Sequence, residues 1–308
     1  MSRFIMRLTT CLMAFSALLG CAPAQPGPPF DGKRAFELLS KQVGLGPRYP
    51  GSPGHSEAQR FILNQLKLYA DGTRTDEFTS RIGGKTLEMA NVVGWFNPDA
   101  RKWVLLAAHW DTRPTADCEV TAEKRAKPIP GANDGASGVA VLLELARVFH
   151  ERRPQVGVLM VFFDGEDYGP GESAMYLGAK HFASDIKTSA AVADRPVKID
   201  YGILLDMVGD KNLGIYRERH SVDAAPDVVE KVWSAAKSLG CADKFRPEVR
   251  YTIEDDHVPL IRAGVRCIDV IDFDYGPWHT LDDTPDKCSP ESLKAVGEVV
   301  ARVVYDER

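Results

Sequence analysis

The chain has 308 residues, with 38 Lys and Arg against 43 Asp and Glu and a formal net charge of −5 at pH 7. That balance excludes the strongly basic footprint of a nucleic-acid binder, and 44% hydrophobic with 26% charged residues excludes a disordered, fibrous or multi-spanning chain. The length suits one large α/β domain or two average ones.

The first segment stands apart from any fold. Arg3 and Arg7 precede an apolar stretch, Leu8 to Leu19, that is too short to span a bilayer comfortably and reads as an export signal over residues 1–20. Its end, Leu18-Leu19-Gly20-Cys21, resembles the bacterial lipobox, which implies lipidation of Cys21 as the first residue of the mature chain. Residues 22–30 are rich in Pro and read as a tether between the anchor and a domain beginning near Asp31. Cys118, Cys241, Cys267 and Cys288 then lie in a compartment that permits disulfides. Their connectivity is open, and none is paired at zinc-finger spacing.

Apolar residues recur at three- and four-residue intervals over 35–39 and 56–68, predicting two amphipathic helices separated by the Pro- and Gly-rich segment 46–54. Beyond them, short apolar runs at 91–96, 103–108, 156–163, 201–207 and 267–271 predict buried strands. Longer helical patterns cover 136–150, 228–239 and 289–304. Strands alternating with helices predict one α/β domain, from about Asp31 to the C-terminus, with a mostly parallel sheet covered by helices on both faces.

In such sheets ligands sit beyond the carboxyl ends of the strands. There the sequence places His109-Trp110-Asp111, Asp164-Gly165-Glu166-Asp167, Asp206, and a loop ending in Trp278-His279-Thr280. Asp134 stands at the edge of the helix opened by Gly131–Gly138. Each residue alone has an ordinary reading as a helix cap, a turn former or a hydrogen-bonded histidine. Together they form a set of carboxylate and imidazole donors of the kind that holds Zn²⁺, and clustered like charges call for a cation. His55, His150, His181 and His220 are expected to be solvated. Trp103 and Trp233 are expected in packing, Trp110 at the pocket rim, and Glu151-Arg152-Arg153 at a solvated helix end.

The segments Pro47–Gly54, His109–Asp111, Gly131–Gly138, Phe162–Asp167, Leu204–Asp206, Asp255–His257 and Trp278–Thr280 resemble the animal-type glutaminyl cyclases and their bacterial relatives, which share the fold of the zinc-dependent aminopeptidases. The resemblance runs over nearly the whole mature chain in the same order. It implies Asp134, Asp167 and His279 as ligands of one zinc, Glu166 as acid and base, Asp206 and Asp255 holding that base in a hydrogen-bond network, and Trp278 lining the substrate pocket. Glu166-Asp167 departs from the Glu-Glu of the animal enzymes. Asp and Glu oxygens bind zinc at about the same 2.0–2.2 Å, so the donor type is kept. Asp269 stands where the animal cyclases place a histidine, and its role is open.

Two activities fit this residue set. As a cyclase, the protein converts the N-terminal glutamine of peptides to pyroglutamate with release of ammonia. As an aminopeptidase, it adds His109 and Asp206 as ligands of a second metal, with Asp134 bridging and Glu166 activating water. The cyclase is favoured by Asp255–His257, Trp278–Thr280 and Pro47–Gly54, and intact Glu166 argues against a non-catalytic envelope lipoprotein. The expectation is a monomeric, lipid-anchored enzyme of the bacterial cell envelope, acting outside the cytoplasm on peptide N-termini and touching the membrane through its anchor alone.

Overall fold

Gly83 and Gly84, with φ of +55° and +81°, turn the chain between two long antiparallel strands, β1 (Gly72–Ile82) and β2 (Lys85–Phe96), paired from Gly72↔Trp95 to Ile82↔Lys85. Two consecutive left-handed residues are what a tight hairpin needs and what glycine supplies without steric cost. The computed structural model describes residues 28–308. The export signal, Cys21 and residues 22–27 of the tether lie outside them.

The hairpin extends a sheet completed by β3 (Trp103–His109), β4 (Gly157–Phe163), β5 (Ile199–Asp206) and β6 (Cys267–Ile271). Their order across the sheet is β1-β2-β4-β3-β5-β6. β4, β3, β5 and β6 run parallel, while β2 is antiparallel to β4. The mostly parallel α/β sheet is therefore as expected. β1 escapes sequence reading because its side chains are half-buried or exposed throughout, so it shows no apolar run.

Because strand side chains alternate, the sheet feeds two cores. Val104, Leu106 and Ala108 of β3 pack with α1 (Gly32–Gly44), α2 (Pro53–Lys67), α3 (Ala136–Glu151), α5 (Pro226–Ser238) and α7 (Pro290–Asp306). Leu105 and Ala107 face the other way, onto Ala179 and Phe182 of α4 (Leu177–Ser184) and Leu260 of α6 (His257–Arg262). Both faces are thus covered, the second by two helices too short to show a period. The N-caps are local in the sequence: Asp31 accepts from Lys33 N and Arg34 N, and Ser52 accepts from His55 N ahead of Pro53, in line with the cap preference for short oxygen side chains.

Trp103 and Trp233 are buried in packing, as expected. Trp110 is a correction: it is fully buried and stacks on His55 at 4.5 Å, away from the pocket rim. His55 is a second correction, because it is buried with Nε2 2.8 Å from Asp164 Oδ1. His181 and His220 are half-buried beside Asp76 and Glu254, at 3.3 and 3.4 Å, and only His150 is exposed. Solvation was the wrong expectation wherever the fold supplied an acid from far along the chain. Cys118, Cys241, Cys267 and Cys288 are free thiols. No helix among the described residues is long and apolar enough to cross a membrane.

Candidate metal centre and active site

Parallel strands deliver their carboxyl ends to one edge, and the polar residues collect there. β3 ends on His109, β5 ends on Asp206, and the turn after β4 carries Glu166 and Asp167. Asp134 precedes Gly135, the N-cap of α3, whose φ of +95° and close approach to the Asp111 carbonyl leave no room for a side chain. The loop after β6 brings His279, held at a φ of +53°, a conformation that non-glycine residues adopt at a cost and that collects at functional sites.

Asp134, Asp167 and His279 are all buried, and their donor atoms lie within 4.8 Å of one another. His279 Nε2 is 3.6 Å from Asp134 Oδ2 and 3.4 Å from Asp167 Oδ1. Tetrahedral zinc with bonds of about 2.0–2.1 Å places its ligands about 3.3 Å apart, so this spacing fits. Asp134 Oδ2 and Asp167 Oδ2 are buried without a hydrogen-bond partner, and a cation would satisfy them. His109, Asp134 and Asp206 form a second buried donor group, with His109 Nε2 3.2 Å from Asp134 Oδ1 and 3.1 Å from Asp206 Oδ1. The two groups share Asp134.

Glu166 lies beside both. Burial lifts its carboxyl well above the ordinary glutamate range; His109 opposes that shift, and Asp167, Asp255 and Asp256 add to it. His109 stands between two members of the expected network of Glu166 with Asp206 and Asp255: its Nε2 pairs with Asp206 Oδ1 at 3.1 Å, and its Nδ1 lies 3.7 Å from Glu166 Oε2. Asp255 neighbours Glu166 through charge, is itself pushed up to about 7 by burial and by Asp206, and groups with His257 and Asp269. Asp269, left open by the sequence, is thus a buried acid behind Asp255.

The site opens into a cavity of about 460 Å³ lined by Glu166, Asp206, Asp255, Tyr176, Ile253, Phe273 and Trp278, among others. Trp278 stands in the wall, stacked on His279 at 3.9 Å between ring centroids. Several supporting residues were beyond sequence reasoning. Arg48, fully buried, donates to the carbonyls of Trp110, Pro130 and Gly131 and so braces the loops that carry His109 and Asp134. Asp283 accepts the backbone N–H groups of Asn133 and Asp134 at 2.8 and 3.1 Å. Arg113 pairs with Asp167 at 2.5 Å. The one available signal was the placing of Arg48 in the Pro- and Gly-rich segment and of Arg113 just after Asp111.

Residues 91–304 match the family model of peptidase family M28. The chain belongs to peptidase family M28. It is 26% identical over 291 residues to the glutaminyl-peptide cyclotransferase of Bos taurus, covering 84% of this chain and 78% of the bovine protein. Among solved structures, the glutaminyl cyclase of Bacteroides thetaiotaomicron is 35% identical with a TM-score of 0.86, over 92% of this chain and all of that one. A Zn-dependent exopeptidase from Parabacteroides distasonis is also 35% identical with a TM-score of 0.86, over 91% of this chain and 99% of that one. The resemblance read from the motifs is therefore correct at the level of the family and fold.

Proposed function

We propose that this protein cyclises the N-terminal glutamine of peptides and proteins to pyroglutamate with release of ammonia. The observation that carries this reading is Glu166, a buried carboxyl with a raised pKa, beside the Asp134, Asp167 and His279 donors at the floor of the cavity. Relatives named as glutaminyl cyclases and glutaminyl-peptide cyclotransferases support it.

Zinc held by Asp134, Asp167 and His279 would supply Lewis acidity toward the γ-carbonyl of the glutamine. Glu166 takes a proton from the α-amine as its nitrogen bonds to the carbonyl carbon of the side-chain amide, and returns a proton to the amide nitrogen that leaves as ammonia. The carboxyl ends as it began, and no water is consumed. Such a shuttle needs a pKa drawn toward neutrality, which burial and the neighbouring acids provide. Trp278, Phe273 and Ile253 wall the cavity and limit the water that would divert the reaction to hydrolysis.

A second reading rests on the donor group of His109, Asp134 and Asp206 and on the relative named as a Zn-dependent exopeptidase. In that reading the two donor groups, which have Asp134 in common, would each hold a metal, and Glu166 would activate the water that releases the N-terminal residue. Mass spectrometry of a Gln-initiated peptide separates the two: loss of ammonia from the intact peptide is expected, and free glutamine with a shortened peptide would overturn the cyclase reading.

We further infer that lipidated Cys21 anchors a monomeric catalytic domain at the bacterial cell envelope, outside the cytoplasm. The support is the order of charged, apolar and small residues before Cys21 and the Pro-rich tether after it.

A further inference from the structure

Asp117 stands at the wall of the cavity, on the loop that follows β3. Its Oδ1 lies 3.1 Å from Nδ1 of His279, the ring nitrogen turned away from Asp134 and Asp167. Its Oδ2 receives both Nε and Nη2 of Arg113, at 2.9 and 2.7 Å. The remaining guanidinium nitrogen, Nη1, donates to Asp167 Oδ1 at 2.5 Å, and that oxygen is 3.4 Å from His279 Nε2. Arg113, Asp117, His279 and Asp167 therefore close a ring in which each side chain touches the next.

We propose that Asp117 and Arg113 are positioning residues for the metal centre: Asp117 holds the tautomer and plane of His279, and Arg113 ties Asp117 to the ligand carboxylate of Asp167. The inference rests on the reading of Asp134, Asp167 and His279 as metal ligands. A carboxylate this close to Nδ1 favours the imidazole proton there by charge and leaves the lone pair on Nε2, facing Asp134 and Asp167. Arg113 has the geometry for the task because its planar fork reaches two carboxylates at once. It also offsets the charge of Asp117, which is not itself among the ligands.

The backbone ties the same parts together. The N–H of Cys118 donates to the carbonyl of His279 at 3.2 Å, so the loops carrying Asp117 and His279 move as one. That bond and the Asp117 contact grip His279 on both sides at its unfavourable φ of +53°. Gly169, at a φ of +48°, lies so close over the guanidinium that a Cβ there would stand 2.8 Å from Nη1 and Nη2 of Arg113. This cover keeps Arg113 nearly out of water, where a hydrogen-bonded ion pair holds its geometry best.

The test is zinc affinity of the full chain, measured by competition with a chromogenic chelator and zinc alone as the probe. Asp117→Ala is expected to weaken zinc binding roughly 10–100-fold, the usual effect of removing an outer partner of a ligating histidine. Asp117→Asn, which keeps an acceptor oxygen, should lose less and should unfold like the wild type when zinc-free. It carries the test if the alanine variant fails to fold. Arg113→Lys, which keeps the charge without the fork, should also bind zinc more weakly. Tight zinc binding by the wild type with both Asp117 variants within about twofold of it would overturn the clamp alone. A wild type that binds no zinc would overturn the ligand reading with it.

Discussion

Asp111 accepts the backbone N–H of Glu166 through Oδ1 at 3.0 Å, and its second oxygen receives the next N–H along the chain, that of Asp167, at 3.2 Å. One fully buried carboxylate from the end of β3 thus sets the height of both the proton shuttle and the adjacent ligand on the turn after β4. Asp111→Ala should leave two buried N–H groups unsatisfied, at roughly 1–3 kcal/mol each, and lower turnover through displacement of Glu166. Urea unfolding beside a turnover assay checks both effects, and an unchanged midpoint would show that Asp111 does not brace the turn.

Glu166→Gln keeps the shape and removes the titrating proton. Turnover should fall by roughly 10²–10⁴-fold, the usual contribution of general acid–base catalysis, while zinc content stays at the wild-type level. The raised pKa of Glu166 places the acid limb of the wild-type rate profile above the ordinary glutamate value of about 4.3, since the carboxylate must be free to take the amine proton. That limb should vanish in the variant. Near-native turnover would remove Glu166 from the shuttle role.

Gly138 sits in the first turns of α3 with its Cα against β5. A Cβ there would stand 2.2 Å from the carbonyl oxygen of Leu205 and 2.9 Å from Cβ of Ala108. Alanine ordinarily favours a helix over glycine by about 1 kcal/mol, but a backbone carbonyl cannot yield, and overpacking costs typically 1–3 kcal/mol. Gly138→Ala should therefore melt earlier than the wild type, and it should lose activity because Leu205 precedes Asp206. A melting temperature equal to or above the wild type would contradict this packing.

Glu218 contributes acid sensitivity. Burial disfavours its charge, yet His257 at 3.2 Å and the backbone N–H groups of His220 and Ser221 at 2.8 and 2.7 Å overcome that and pull its pKa down to about 2. A group depressed in the folded state stabilises the protein above its unfolded pKa, here about 4.5, and the gain is lost as pH falls from there toward 2. Glu218→Gln should therefore lose stability at neutral pH and show a shallower further loss down to about pH 3 than the wild type. Denaturant midpoints at the two pH values test this, and parallel losses would show that Glu218 carries none of the acid sensitivity.

Cys21 bears on location alone. Cys21→Ser should move the protein from the membrane fraction to the soluble fraction or leave it as an uncleaved precursor, since two acyl chains hold a domain at a bilayer where one is marginal. Wild-type protein found soluble, with its N-terminus at another residue, would refute lipidation and leave the enzyme reading untouched.

The sequence by itself determined the α/β class, four parallel strands and most long helices, because buried parallel strands are continuous apolar runs and long helices repeat their apolar face. It also placed His109, Asp134, Glu166, Asp167, Asp206 and His279 near one another, since parallel strands deliver their ends to one edge. The tertiary structure alone decided which of them touch. His55 and Asp164 are 109 positions apart, and Arg48 meets Gly131 across 83. No local pattern can announce that a polar side chain will be buried, because burial is tolerated only where the fold brings a partner. For the same reason the ring of Arg113, Asp117, His279 and Asp167, and the pairing of Asp206 with His109, appear only once separate loops are packed against one sheet edge.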